Sequence, residues 1–139
     1  MPLSLYLKPN EKVIIGNAVI QNGKKSASFV IHNKATILRQ KDIMTEEDAN
    51  SPAKRIYFLV QLMYLAGSLE ASREHHTDFF NLTRQFLEAC PTPEALELIS
   101  NIGQNIMDGK FFNSLKECRH LMEYEDAIIN GTIETSGEE

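Results

Sequence analysis

The chain has 139 residues, of which 42% are hydrophobic and 24% charged, and its formal net charge is −5. Those proportions suit one ordinary soluble domain with a small appendage. They exclude a disordered chain, which has too few apolar residues to build a core, and the longest apolar run, Ile56 to Leu65, is interrupted by Gln61 and falls well short of the roughly 20 residues a spanning helix needs.

In chain order, Leu3 to Leu7 reads as an opening strand. Val13 to Ile15 and Ala18 to Ile20 flank Gly16-Asn17, and glycine followed by asparagine suits the type II′ turn of a tight hairpin. Asn22-Gly23 supplies both positive φ angles of a type I′ turn and predicts a second hairpin into Ser26 to Ile31. His32-Asn33-Lys34 makes a third reversal before Ala35 to Arg39. Residues 1–41 are therefore expected to form a small antiparallel β meander or barrel of about five strands, with residues 42–50 as connector.

Residues 51–129 read as a bundle of about four helices, so the fold class is α+β. Ser51-Pro52 is an N-cap followed by proline at the first helical position, where its missing N–H costs nothing. That helix runs to Gly67. Ser68 starts a second helix with His76, Phe79, Phe80, Thr83, Phe86, Leu87 and Cys90 along one stripe, and Pro91 stops it. Thr92-Pro93 repeats the cap device ahead of Leu96, Ile99, Ile102, Gly103 and Ile106, a helix ending at Gly109. A fourth runs from about Lys110 to Ile128 with Phe111, Leu115, Cys118 and Met122 on its face. Residues 130–139 are polar and acidic and are expected to be disordered.

Charge divides along the same line. Up to Lys41 there are seven basic residues against one acid, Glu11; from Asp42 onward there are seven basic and 18 acidic residues. A cationic β module joined to an acidic bundle suggests a face for a polyanion, although lysines on short strands also keep open edges soluble.

Catalytic chemistry finds little support. His75 and His76 are adjacent, so they point in different directions on a helix, and no third ligand follows at helical spacing. Cys118 and His120 sit two residues apart on one helix and face away from each other. No glycine-rich phosphate loop is present. Cys90 and Cys118 are too far apart for a metal finger and read as reduced core thiols, as in a cytoplasmic protein, and the N-terminus lacks an export signal. The sequons at Asn81 and Asn130 carry no weight without secretion.

Three blocks resemble a known family. Pro2-Leu3-Ser4-Leu5-Tyr6-Leu7-Lys8-Pro9-Asn10-Glu11, Ile15 to Gly23 and Leu38 to Met44 form the first; Ser51 to Phe58 the second; Gly109 to Glu125 the third. Together, over about residues 2 to 126, they resemble the flagellum biosynthesis repressor FlbT. The resemblance implies a non-enzymatic, cytoplasmic, post-transcriptional regulator that needs no cofactor and binds the 5′ leader of flagellin mRNA, with the companion regulator FlaF or flagellin as a further partner. Repression is the expected sign, and activation also occurs in the family. A rival reading is a protein-binding adaptor acting through its helices.

The β segment alone, at Glu11 to Gly16 and Ile37 to Ile43, is similar to the carbon storage regulator family. That likeness implies a homodimer and RNA contacts at Arg39 and Lys8. The first strand of that family carries two consecutive arginines where this chain has Leu7-Lys8. The expected RNA contacts are Lys8, Lys12, Lys24, Lys25, Lys34, Arg39 and Lys41, followed by Arg55, with Arg39 the most specific because its planar fork suits phosphate and guanine edges.

Overall fold

Short strands separated by glycine, proline and asparagine give way to long capped helices at residue 51, and the computed structural model follows that change. It describes residues 2–131; of the tail expected to be disordered, residues 132–139 lie outside the described residues. The chain divides into two compact units, one ending at Ile43 and the other beginning at Met44.

The first unit holds β1 (Leu3–Leu7), β2 (Lys12–Ile15), β3 (Ala18–Gln21), β4 (Ala27–Ile31) and β5 (Ile37–Arg39), followed by a 3₁₀ turn at Gln40–Asp42. All pairings are antiparallel. Gly16-Asn17 makes the expected tight hairpin: Ile15 faces Ala18, and Gly16 takes φ 62°, an angle glycine adopts without a Cβ clash.

The second expected hairpin does not form. β3 has no ladder to β4; β4 pairs with β1 in a two-stranded sheet, while β5 pairs with β2 in a three-stranded sheet ordered β3-β2-β5. The five strands are thus split between two small sheets in a non-consecutive order, and no barrel closes. Neither Asn22 nor Gly23 has a positive φ, so the type I′ turn is absent. The Asn22 side-chain amide instead donates to the carbonyls of Leu7, Lys8 and Lys25 at 3.3, 2.8 and 2.9 Å, carrying the chain from one sheet to the other. Leu5, Leu7, Val13 and Leu38 are the buried apolar residues of this unit, whereas every residue of β3 is exposed.

The second unit contains α1 (Pro52–Ala66), α2 (Leu69–Ser72), a 3₁₀ turn at Arg73–His75, α3 (His76–Ala89), α4 (Pro93–Met107) and α5 (Phe111–Ile129). Both serine/threonine-proline starts behave as the chemistry requires. Ser51 Oγ accepts the Lys54 N–H at 3.2 Å, and Thr92 Oγ1 accepts the Ala95 N–H at 3.1 Å. Gly67 ends α1 in the left-handed region at φ 92°.

α5 packs on both α1 and α4, and α1 also packs on α3. Ile56, Val60, Met63, Ile102, Leu115, Cys118 and Leu121 at the centre are essentially unexposed. Burying each large aliphatic side chain contributes about 1.5–3 kcal/mol. Gln61, which breaks the apolar run of α1, is buried because its amide makes two hydrogen bonds with the backbone of Met44, at 2.8 and 3.0 Å. Among the described residues no helix is long and apolar enough to cross a membrane.

Candidate nucleic-acid interface

The cations of the first unit lie mostly where strands end, so their positions depend on how the connecting turns are held. Lys8 follows β1 and opens the turn Lys8-Pro9-Asn10-Glu11, closed by Glu11 N–H donating to the Lys8 carbonyl at 3.1 Å. Proline in the second position and Asn10 at φ 64° in the third fit a type II turn, where asparagine tolerates the left-handed angle. The turn is fastened again from its own side chain: Glu11 Oε1 accepts the Lys8 N–H at 2.8 Å. That bond, with a smaller contribution from Arg39, holds the Glu11 carboxyl below its ordinary pKa of 4.5 against the opposing effect of its burial.

Two further side chains fix the backbone beneath the lysines. Asn22, just after β3, reaches through one amide nitrogen the carbonyls of Lys8 and Lys25, which flank the paired ends of β1 and β4. Gln40 Oε1 accepts the Lys12 N–H at 2.6 Å, which ties the start of β2 to the 3₁₀ turn that carries Lys41. The outcome is a concavity of about 360 Å³ lined by Lys8, Pro9, Glu11, Gln40 and Lys41.

The structure therefore gathers Lys8 and Lys41 at one hollow, with the backbones of Lys12 and Lys25 tied to its walls. Lys24 is exposed in the bend after β3, next to Lys25. Lys34 is exposed in the loop between β4 and β5 and does not line this hollow. Arg39 is engaged within the protein: its Nη2 donates to the Tyr6 carbonyl and lies 3.3 Å from Glu11 Oε2, leaving the side chain 35% exposed. Arg55 belongs to the other unit, on α1, at the rim of a groove of about 510 Å³ shared with Glu46, Phe58, Leu62, Asp78 and Leu82.

Chemically the hollow offers ammonium groups for anionic oxygens and one half-buried carboxylate already committed to hydrogen bonds. Sequence reasoning counted Glu11 only as a lone acid and read Asn22 only as a turn former. The usable signal was the isolation of Glu11, a single acid among 41 residues that carry seven cations. In the second unit, Cys118 is fully buried and burial pushes its thiol well above the ordinary range, while His120 is exposed and faces Glu117. Among the described residues no group of three or more histidine, cysteine, aspartate or glutamate side chains is placed to hold a metal ion.

The sequence is similar to known proteins over most of its length. The family described as "Flagellar protein FlbT" matches residues 3–129. A probable flagellum biosynthesis repressor protein FlbT of Rhodopseudomonas palustris is 39% identical over 131 residues, covering 94% of this chain and 99% of the relative. One from Caulobacter sp. is 40% identical over 126 residues, covering 91% and 95% respectively. The flagellum biosynthesis repressor protein FlbT of Caulobacter vibrioides is 36% identical over 126 residues, covering 91% and 88%. No solved structure matches the chain.

Proposed function

We propose what this chain does from one established premise: it belongs to the FlbT family of flagellar proteins. It has a regulatory part in flagellar synthesis. The finer reading is a repressor without catalytic activity that binds the 5′ leader of flagellin mRNA and lowers its translation or lifetime. The observation that carries it is the concavity at Lys8 and Lys41, a cationic hollow on turns held by Glu11, Asn22 and Gln40. Lysines carried on a fixed backbone bind phosphate with less ordering cost than the same residues on loose loops.

Single-stranded RNA suits the site better than duplex. A-form duplex hides its base edges in a deep, narrow groove, whereas a loop or free strand exposes its bases and bends its backbone into a small hollow. Only Tyr6 and Phe29 are aromatic in the first unit, and Phe29 is half-buried, so phosphate contacts rather than a stacking platform supply the affinity.

Fluorescence anisotropy with a transcribed flagellin leader from the same genome tests this. Each phosphate neutralised on a single strand contributes a slope of about 0.7 in log K against log salt, so four contacts weaken binding about 50-fold between about 50 and about 200 mM salt. A second reading, an adaptor that holds FlaF or flagellin without touching RNA, is favoured by the groove between α1 and α3, floored by Phe58, Leu62 and Leu82. Failure of the leader to bind, or binding indifferent to salt over this range, would move the assignment to that groove.

A further inference from the structure

Resting on the RNA reading above, we infer that Arg39 and Glu11 act as a positioning clamp for the Lys8 turn and are not themselves contacts for RNA phosphate. Arg39 ends β5 in the three-stranded sheet, and its guanidinium reaches the Tyr6 carbonyl on β1 in the two-stranded sheet. The guanidinium thus links two sheets that share no ladder.

The same Nη2 lies 3.3 Å from Glu11 Oε2, while Glu11 Oε1 holds the Lys8 N–H at 2.8 Å. Arg39 thus grips the stretch from Tyr6 to Glu11 at both ends, and Lys8 stands between the two grips. Within that stretch Asn10 takes the left-handed angle, φ 64°, that the third position of a type II turn requires. The Glu11 side chain is 16% exposed, so its carboxylate is turned toward these partners more than toward solvent.

A clamp and a contact make opposite predictions for the acid. If Glu11 influences RNA only through its charge, it repels phosphate, and its removal tightens binding. As the middle of a clamp, its removal loosens the Lys8 turn, which keeps its backbone bonds and the Asn22 tie, and weakens binding. Salt separates the two roles for the arginine in the same way: a phosphate contact contributes to the salt slope, whereas a positioning group changes affinity and leaves the slope alone.

The experiment measures leader affinity across a salt series for the full chain and for Arg39→Gln, Glu11→Ala and Lys8→Ala, each checked for an intact far-ultraviolet spectrum. Arg39→Gln and Glu11→Ala are each expected to weaken binding about 3- to 10-fold, the scale of ordering one mobile side chain, with the slope unchanged. Lys8→Ala is expected to lower the slope by about 0.7. The double variant Arg39→Gln/Glu11→Ala is expected to lose little more than either single one, since both changes open the same clamp.

Tighter binding by Glu11→Ala, or an Arg39→Gln slope that falls as far as that of Lys8→Ala, overturns the clamp while leaving RNA binding intact. Where Glu11→Ala does not fold, Glu11→Gln, which keeps one acceptor and loses the charge, is read against the same two signs. A wild-type chain without affinity for the leader sinks the RNA reading itself, and the clamp's role with it.

Discussion

Glu125 offers the sharpest test of how the helical unit is held together. It is buried at 7% exposure on α5, and its two oxygens accept from Ser51 Oγ at 2.6 Å and from the Ala53 N–H at 2.9 Å. Ala53 is itself unexposed, in the first turn of α1, so this carboxylate satisfies an N–H that no intrahelical carbonyl can reach. Glu125→Ala strands that N–H, at a cost of about 1–3 kcal/mol, and removes a negative charge from a helix N-terminus, worth about another 0.3–1 kcal/mol. The sum is about 1.3–4 kcal/mol. For a unit of this size each kcal/mol lowers the melting temperature by about 4–8 °C, so the drop is about 5 °C or more in a thermal scan. Glu125→Gln keeps the shape but must turn a donor toward either Ser51 or Ala53, and belongs between wild type and alanine. Urea titration of Glu125→Ala, Ser51→Ala and their double variant measures the coupling, expected at about 0.5–3 kcal/mol because the residues share one hydrogen bond. Full stability in Glu125→Ala, or strictly additive losses, would refute the view that α5 caps α1.

Two cheaper measurements follow from burial and charge. Cys90 is buried and Cys118 is fully buried with its thiol pKa pushed up by burial, so a disulfide reagent such as DTNB should label neither in the native protein and both in denaturant; rapid native labelling would show that the α5 core opens. Glu11 has a depressed folded-state pKa, so its hydrogen bond to Lys8 is fully present above the ordinary value of 4.5 and is lost as pH falls through the lower, folded value. The Lys8 amide shift in an NMR titration should therefore move with a midpoint below 4.5, and a midpoint at or above it would contradict the bond.

Those parts of the fold that depend on short-range chemistry were legible in the sequence. The caps at Ser51 and Thr92 join atoms three residues apart, and the Gly16-Asn17 hairpin is decided by two residues and the strands beside them. Asn22-Gly23 carries an equally strong local signal, yet the Asn22 amide finds two carbonyls, 14 and 15 residues away, that only the folded chain brings near it. β4 then pairs with β1, and a local turn preference gives way to a whole ladder. The break in the second helix had no glycine or proline to announce it. Ser72, buried, donates its hydroxyl to the Leu69 carbonyl at 2.6 Å, and such back-bonding bends a helix at the place where the 3₁₀ turn begins. Phe80 and Leu96 were placed on inward stripes, yet they are 65% and 55% exposed, since each lies at the margin of an apolar arc that only partly meets a neighbour.

The site divides along the same line. A count of lysines and arginines fixes the sign of the field over the first unit, but a field does not say which donors are already committed. Arg39 spends its fork on acceptors 33 and 28 residues away, and no spacing rule in a linear pattern reaches that far. Its rank as the most specific expected contact came from the chemistry of guanidinium, which is equally the chemistry that makes it the best available tie between two sheets. Lysine, a point charge on a flexible stem, is the poorer tie and so the group more readily left for an external anion. In a small unit whose buried apolar residues are Leu5, Leu7, Val13 and Leu38, a polar link between sheets is a larger share of what holds them together than it would be beside a larger core. The lone acid among the cations is then where a clamp needs it: Glu11 costs some attraction for phosphate and in exchange holds Lys8 in place.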